Sequence, residues 1–287
     1  MAFLDHIRAC NAHDLGGYRP FAVAGRRLGW VRHDVAALLA EHGDVFEVGE
    51  EGVWLSERLT TPEERTRAVE DACAALAERH GIPRLKGERY RVAAAWSQPP
   101  LMEIDRAVVS LLGVRAYGIH VNGIIAGTDA TRLWIARRAA DKPVAPGKLD
   151  NMIAGGQPAG LGLMDNLVKE AAEEADIPET LARTARPVGV VSYCHEDQWG
   201  LKPDTMFCFD LVVPADFTPR NTDGEIEDFR PMEVAEAAAR VRDTDDFKFN
   251  VNLVLMDFLL RHGHLCPETE PDYVEIARGL RRDAEWR

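Results

Sequence analysis

A glycine-rich segment followed by an alanine-rich helix with three glutamates, at residues 155–177, constrains this chain more than any other feature. Glu170, Glu173 and Glu174 are three and four residues apart, so a helix with about 3.6 residues per turn places them on one face. The opposite face should be apolar and pack on a sheet; its residues are Met164, Val168, Ala171, Ala172 and Ala175. Pro178 cannot continue the helix and should end it.

Three carboxylates on adjacent helical turns repel one another. Two unit charges about 5 Å apart cost roughly 3 kcal/mol at an effective dielectric constant of about 20. The face is therefore either solvated, which is common for acidic helices, or occupied by a cation. Carboxylate oxygens suit Mg²⁺ or Mn²⁺, which keep open positions for substrate phosphates. Gly155 and Gly156, in a loop before the helix, would leave N–H groups free for an anion, so the stretch predicts a site for a phosphoric anhydride.

The same stretch resembles the Nudix box, in which a glycine, five residues, a glutamate and seven residues precede Arg-Glu-apolar-x-Glu-Glu-x-Gly-apolar. The matching residues are Gly155, Glu170, Ala171, Glu173, Glu174 and Ile177. Three positions depart from the pattern, because Leu161 replaces the first glutamate, Lys169 the arginine and Asp176 the last glycine. The family's metal ligands, the Glu-x-x-Glu-Glu set, are retained.

Further segments resemble one branch of that family, the Nudix hydrolases related to thiamine pyrophosphokinase. They are residues 146–151, 154–160, 166–170, 187–193, 207–211, 223–227 and 252–254, so the resemblance covers nearly the whole chain. It implies an α/β fold in which a Nudix α/β/α sandwich with a mixed sheet, at residues 115–287, follows a small α+β accessory domain at residues 1–114. We find no cofactor motif in the sequence of the first part.

The resemblance implies hydrolysis of a diphosphate linked to another group. Glu170, Glu173 and Glu174 would bind Mg²⁺ or Mn²⁺, and Glu174 or Glu225 would take the proton of the attacking water, which makes Glu173, Glu174 and Glu225 the catalytic set. The implied substrates are thiamine diphosphate and its oxidised analogues, cleaved to the monophosphate. Two alternatives stay open: another diphosphate such as ADP-ribose or a nucleotide sugar, and a catalytically silent diphosphate-binding module.

Further residues are candidates for positions in or beside the site, and most of them have a plainer alternative. In the family that the chain resembles, the strand before the box carries basic residues near the site, so Arg137 or Arg138 would bind phosphate; the alternative is a solvated pair at a strand end. Trp199, in a polar loop predicted for residues 195–204, can stack on a heteroaromatic ring or fold back over the sheet edge. Glu225, with Glu227 behind it, can act on the water or be a solvated loop acid. A loop over residues 141–147 should bring Lys148 and Asp150 beside the box.

The remaining composition limits the class of partner. A net charge of −13 argues against binding nucleic acid, although a bound metal still permits phosphate chemistry. No apolar run approaches the ~20 residues of a membrane span, and the start lacks a secretory signal. Five cysteines without close pairs indicate reduced thiols and a cytoplasmic protein. The expected partner is a small-molecule diphosphate, and a homodimer is an expectation by analogy with the family.

Local signals predict most secondary structure. Thr61 and Pro62 should begin a helix that runs to Arg79, and Gly113 should close a helix that starts at Asp105. Two hairpins are predicted at residues 21–31 and 46–55, and strands at residues 90–96, 115–125, 133–138, 188–194 and 205–213. Helices should follow at residues 232–242 and 247–261, and the tail at residues 268–287 is predicted as a polar helix.

Overall fold

Thirteen strands and nine α-helices are assigned in the computed structural model, which describes residues 2–127 and 131–282. The first part contains α1 (Phe3–Ala9), β1 (Tyr18–Val23), β2 (Arg26–Arg32), α2 (His33–Leu39), β3 (Phe46–Val48), β4 (Val53–Leu55), α3 (Pro62–His80), β5 (Arg89–Val92), β6 (Met102–Asp105) and α4 (Val109–Leu112). Strands β1 to β4 form one sheet in the order β2-β1-β4-β3, and β5 pairs with β6. Within these described residues, no helix is both long and apolar enough to cross a membrane.

Helix α3 begins where the sequence predicts. The Glu64 N–H donates to Thr61 Oγ1 at 3.2 Å, and the Thr61 N–H donates to Glu64 Oε2 at 3.0 Å, so two backbone donors that the helix cannot satisfy are paired. Gly81 then ends the helix with φ of 69°, a conformation that glycine adopts without a steric penalty. The predicted boundaries of this helix are confirmed to within one residue.

The second part is built on a seven-stranded sheet. Its elements are β7 (Ala116–Ile125), β8 (Arg132–Arg138), β9 (Leu149–Asp150), β10 (Ile153–Gly156), α5 (Leu163–Ala175), α6 (Glu179–Ala182), β11 (Arg186–Glu196), β12 (Leu201–Val213), β13 (Ile226–Glu233), α7 (Val234–Asp243), α8 (Phe249–Arg261) and α9 (Tyr273–Gly279). The main order is β11-β12-β7-β8-β13, with β10 beside β7 and β9 beside β8. Strands β7 and β12 are parallel while their neighbours pair antiparallel, so the sheet is mixed as expected.

Helices cover both faces of this sheet and make the expected α/β/α sandwich. On one face, Leu167 and Ala171 of α5 pack against Ile119, Val121 and Phe209 of the sheet. On the other face, α7, α8 and α9 enclose a second core whose residues include Val191, Cys208, Val241, Val254 and Ile276. Helices α5 and α7 each bury one side, whereas α8 is buried on all sides from Asn250 to Leu259, and this burial stabilises the layered fold.

The first helix, α1, belongs to that second core although it lies at the start of the first part of the chain. Phe3, Ile7 and Cys10 are buried in the same cluster as α8 and α9. Gly279 of α9 approaches Ile7 so closely that an added Cβ would lie 2.6 Å from Ile7 Cγ2. The core of the first part starts only at Phe21.

Several local predictions are wrong. Gly155 and Gly156 lie in β10, not in a loop, because their backbone pairs with Ile119 and Gly118 of β7. Most of the predicted loop at residues 195–204 is strand; β11 runs to Glu196 and β12 starts at Leu201. Polar residues there suggested a loop because one face of these strands borders a cavity, described below, and not a core.

Three further differences have clear causes. The predicted strand at residues 90–96 ends at Val92, because the Arg91 guanidinium donates to the carbonyl oxygen of Trp96 and folds the chain into a turn. Ala172 was expected on the buried side of α5 but is exposed, because Glu174 lies on that side. The tail contains α9, whereas the part of the predicted tail helix at residues 283–287 lies outside the described residues.

Candidate active site

A cavity of about 360 Å³ lies where the first part of the chain meets the sheet of the second. Its lining comes from β5, β7, β8, β10, β11, β12, the C-terminal half of α5, the start of α8 and several connecting segments. The residues discussed below that line it are Tyr90, Arg106, Tyr117, Gly118, His120, Arg138, Lys142, Ala154, Gly155, Gly156, Lys169, Glu170, Glu173, Tyr193, Lys202, Asp204, Glu225, Lys248, Phe249 and Asn250.

The predicted acidic residues gather at one side of this cavity. Glu170 and Glu173 line it from α5, and Glu225 lines it from the loop before β13. Glu174 is buried beside them, and its Oε2 accepts a hydrogen bond from the Ala154 N–H at 2.9 Å. Burial raises the pKa of Glu170 and raises that of Glu174 well above its ordinary value, and neighbouring carboxylates add to both effects. These acids therefore gain from any cation placed among them.

Gly155 leaves the space that Glu170 occupies. A Cβ added at Gly155 would lie 2.5 Å from Glu170 Cδ and 2.9 Å from Glu170 Oε1. The glycine thus allows the backbone of β10 and the carboxylate of α5 to approach each other. Its role differs from the predicted free anion-binding loop, since its backbone is paired in the sheet.

Lys169 lies between two of the acids. Its ammonium donates to Glu173 Oε2 at 2.7 Å and to Glu170 Oε1 at 3.2 Å. Burial acts to lower the pKa of Lys169, but these hydrogen bonds act more strongly and the pKa is raised. Across residues 2–127 and 131–282, no three His, Cys, Asp or Glu side chains already enclose a common point for a metal. The donor set of carboxylate oxygens nevertheless suits a hard divalent cation, which would compete with the ammonium.

Arg137 and Arg138 point to opposite faces of the sheet, as neighbours on a strand must. Arg138 lines the cavity, is almost fully buried and donates to Asp150 Oδ2 at 2.8 Å. Arg137 donates to the Gly147 carbonyl at 3.0 Å and does not line the cavity. Of the two predicted phosphate-binding arginines, the structure thus brings only Arg138 to the acids.

Lys248, which we did not predict, adds a second positive charge at the same wall. It directly precedes α8, is largely buried, and its Nζ lies 3.7 Å from Asp150 Oδ2, beyond hydrogen-bond distance. Burial lowers the pKa of Lys248, although Asp150 opposes the shift. A lysine just before an apolar helix was the only sequence signal for it. Lys148, expected beside the box, instead pairs with Asp245 at the surface, away from the cavity lining.

His120 is held in one orientation by a buried chain of polar groups. Asp210 can only accept, so Asn122 Nδ2 donates to Asp210 Oδ1 at 2.9 Å and Asn151 Nδ2 donates to Asn122 Oδ1 at 2.8 Å. Asn151 Oδ1 is then an acceptor, so His120 Nδ1 carries the proton of their 2.8 Å contact. Burial lowers the pKa of His120 from 6.5 to about 4, so the imidazole in the cavity is neutral near neutral pH.

This histidine predicts a loss of stability in acid. The unfolded chain binds a proton at His120 near pH 6.5 and the folded protein only near pH 4, so stability is complete above pH 6.5 and falls as the pH drops towards 4. The difference of about 2.5 pKa units corresponds to about 3 kcal/mol. The free energy of unfolding should be measured with urea at about pH 7 and about pH 4. Between these two pH values it should fall by about 3 kcal/mol less in His120→Gln than in wild type. Equal losses in both proteins would contradict the assignment.

Trp199 lies outside the cavity lining, contrary to its predicted role in ring recognition. The Trp199 ring packs against the core of the first part, and the Trp199 backbone N–H donates to Asp197 Oδ1 at 2.7 Å. This packing against the first part of the chain accounts for a single tryptophan in a polar segment, so no ligand is needed to explain it. Glu227, the reserve candidate behind Glu225, is exposed on β13 and also lies outside the lining.

The first part of the chain supplies one wall of the cavity, and we did not predict this wall from the sequence. Tyr90 and Arg106 line the cavity, and Gly156 lacks the Cβ that would overlap the Tyr90 hydroxyl. Tyr90 follows Arg89 in a short, mostly polar strand, so nothing in the sequence separates it from an ordinary strand tyrosine. The accessory part therefore contributes directly to the site.

Comparison with known proteins identifies one matching family model and two similar plant proteins. A family model described as "Domain of unknown function (DUF4743)" matches residues 2–116. The chain is 40% identical over 283 residues to Nudix hydrolase 24, chloroplastic, of Arabidopsis thaliana, which covers 97% of this chain and 77% of that protein. It is 37% identical over 290 residues to Nudix hydrolase 20, chloroplastic, of the same plant, with the same two coverages.

Among solved structures, DR0079 from Deinococcus radiodurans is similar with a TM-score of 0.46 and 19% identity, over 58% of this chain and 97% of that chain. The cytoplasmic location predicted from the sequence is contradicted by the two plant relatives, both of which are chloroplastic. All five cysteines are free, but free thiols occur in more than one compartment and do not identify the cytoplasm.

Proposed function

The chain belongs to the Nudix hydrolase family, and on that premise we propose that it hydrolyses a diphosphate ester at the cavity in a reaction that requires Mg²⁺ or Mn²⁺. One observation carries the proposal. The acids of α5 and Glu225 border the same cavity as the buried cations Arg138 and Lys248. Opposite charges on two sides of one cavity suit a diphosphate, whose oxygens can bind both a metal and basic side chains.

The residues proposed to hold the cation are Glu170, Glu173 and Glu174. When bound, Mg²⁺ would supply positive charge to the diphosphate oxygens and lower the pKa of a water molecule. Gly155 allows the Glu170 carboxylate to lie against β10, and the Ala154 N–H holds the Glu174 carboxylate. The Lys169 ammonium donates hydrogen bonds to Glu170 and Glu173 and holds these two carboxylates close to each other.

The other lining residues would do separate work. Arg138 and Lys248 would bind phosphate oxygens and orient the anhydride. Asp150 Oδ2 accepts a hydrogen bond from Arg138, whereas the Lys248 ammonium lies 3.7 Å from that oxygen and donates no hydrogen bond to it. Glu225 would accept the proton of the attacking water because it borders the open cavity, whereas Glu174 is enclosed. Lys142 forms an ion pair with Glu225 at the cavity lining.

For the substrate we propose thiamine diphosphate and its oxidised analogues, cleaved to the monophosphate. The support is the resemblance of the segments along the chain to the branch related to thiamine pyrophosphokinase. The cavity is consistent with a cyclic organic group, because the rings of Tyr90, Tyr117 and Phe249 line it.

Chromatographic measurement of product formation in the presence of Mg²⁺ tests this choice: thiamine diphosphate gives the monophosphate and phosphate, whereas ADP-ribose and UDP-glucose each give two phosphomonoesters. We expect kcat/KM for thiamine diphosphate or an oxidised analogue to exceed that for ADP-ribose and UDP-glucose by at least about tenfold, a difference of about 1.4 kcal/mol in transition-state binding. A preference for ADP-ribose or UDP-glucose would support the alternative of another nucleoside diphosphate-linked substrate. The absence of Mg²⁺-dependent turnover on every diphosphate would support a silent binding module.

A further inference from the structure

A second polar cluster lines the cavity, apart from the acids of α5. It consists of Tyr193 on β11, Asp204 on β12 and Asn250 near the start of α8. The Tyr193 hydroxyl donates to Asp204 Oδ2 at 3.0 Å, and Asn250 Nδ2 donates to the Tyr193 hydroxyl oxygen at 3.1 Å. Lys202 Nζ also donates to Asp204 Oδ2, at 3.3 Å.

Two acceptors in this cluster have no hydrogen-bond partner. They are Oδ1 of Asp204 and Oδ1 of Asn250, and each residue is only 3% exposed. The orientation of the Asn250 amide is fixed, because the Tyr193 hydroxyl uses its one proton on Asp204 and must receive a hydrogen bond from the amide nitrogen. Buried acceptors without partners are rare in folded proteins, and these two belong to residues that line one cavity, where a ligand can supply the missing donors.

The cluster lies at a useful distance from the glycines beside Glu170. Asp204 pairs with Ala116 of β7, and Gly156 pairs with Gly118 on the other side of the same strand. Two strand spacings of ~4.8 Å and an offset of two residues place these backbones about 12 Å apart. Gly118 lies between them, and a Cβ there would be 2.9 Å from the Gly155 carbonyl oxygen. One ligand can therefore contact both ends of the cavity.

We propose that Asp204 and Asn250 form the subsite for the organic group of the substrate, where they accept hydrogen bonds from the N–H groups of an amino-substituted nitrogen heterocycle. This inference rests on the proposed function, which places the diphosphate at the acids of α5. The Phe249 ring, next to Asn250 in the cavity lining, provides an apolar surface for such a heterocycle. Lys202 and Tyr193 both donate to Asp204 Oδ2, which leaves Oδ1 of the same carboxylate for a donor of the ligand.

Binding of a pair of monophosphates tests the subsite without requiring any hydrolysis. The probes are thiamine monophosphate and an analogue in which hydrogen replaces the exocyclic amino group of the pyrimidine. By calorimetry, wild type should bind the amino compound about tenfold more tightly, since a hydrogen bond to a charged acceptor is lost in the analogue. Asp204→Asn should bind the two compounds within about twofold of each other.

Asp216→Asn is the matched control, because it makes the same chemical change at an exposed residue in the loop after β12, outside the cavity lining. It should keep the preference of wild type. The subsite is disproved if wild type binds both monophosphates equally, or binds neither, and this comparison needs no variant. It is also disproved if folded Asp204→Asn keeps the preference. Failure of the proposed function appears separately, as no Mg²⁺-dependent cleavage of thiamine diphosphate by wild type.

Discussion

Glu174→Gln should lower kcat/KM for diphosphate hydrolysis by about 10³-fold, because it removes one negative charge from the proposed metal site while keeping the shape of the side chain. The same change should raise Tm measured in a chelator. Burial raises the pKa of Glu174 well above its ordinary value, so its charged form destabilises the folded protein at neutral pH, and an amide carries no such charge. Glutamine can still accept the hydrogen bond from the Ala154 N–H.

The opposite directions of these two effects make the prediction specific. A carboxylate kept only for structure would show a lower Tm on substitution and an almost unchanged rate. Initial rates with Mg²⁺ and thermal unfolding with a chelator should therefore be measured on the same preparations. Glu275→Gln, an identical change at an exposed position of α9, should alter neither quantity.

Gly155→Ala should lower kcat/KM by about 10²-fold with little loss of stability. The new Cβ would lie 2.5 Å from Glu170 Cδ, so the carboxylate must rotate away, and a displacement of about 1 Å at a reacting site costs this much. The fold should tolerate the change because the collision is with the end of a side chain. Kinetics with Mg²⁺ and urea unfolding of the variant measure the two effects.

A double-mutant cycle shows whether the alanine acts through Glu170. If it does, Gly155→Ala combined with Glu170→Gln should be about as active as Glu170→Gln alone, since neighbouring sites that share one interaction are not additive. Losses that multiply would mean that the alanine perturbs something else. Gly17→Ala is a suitable control, because a Cβ at Gly17 meets nothing within 4 Å.

The sequence was most informative where one short segment carried both structure and chemistry. The spacing of Glu170, Glu173 and Glu174 predicted their common side of α5, because helix geometry depends only on local offsets. It could not predict how deeply each acid lies. Glu174 is buried and Glu173 exposed because α5 is rotated against β10, and that rotation is set by packing with residues such as Ile153 and Ile119.

The rest of the site depends on contacts between distant segments. Lys248, Asp204 and Tyr90 come from three elements that only the sheet register and the meeting of the two parts bring together. Each of them has an ordinary local context, so no spacing rule could select them. Trp199 shows the converse, because an unusual residue in a polar segment proved to serve packing against the first part.

The placement of α1 has a practical consequence for dissecting the protein. Phe3 and Ile7 complete the core beneath α8 and α9, so α1 packs with the second part of the chain. The elements from β1 to α4 therefore form an insertion between α1 and β7. A polypeptide that starts at residue 115 would lack those side chains and expose apolar surface on two helices. Joining residues 2–12 to residue 115 through a short flexible linker would restore them, which offers a route to the catalytic half in isolation.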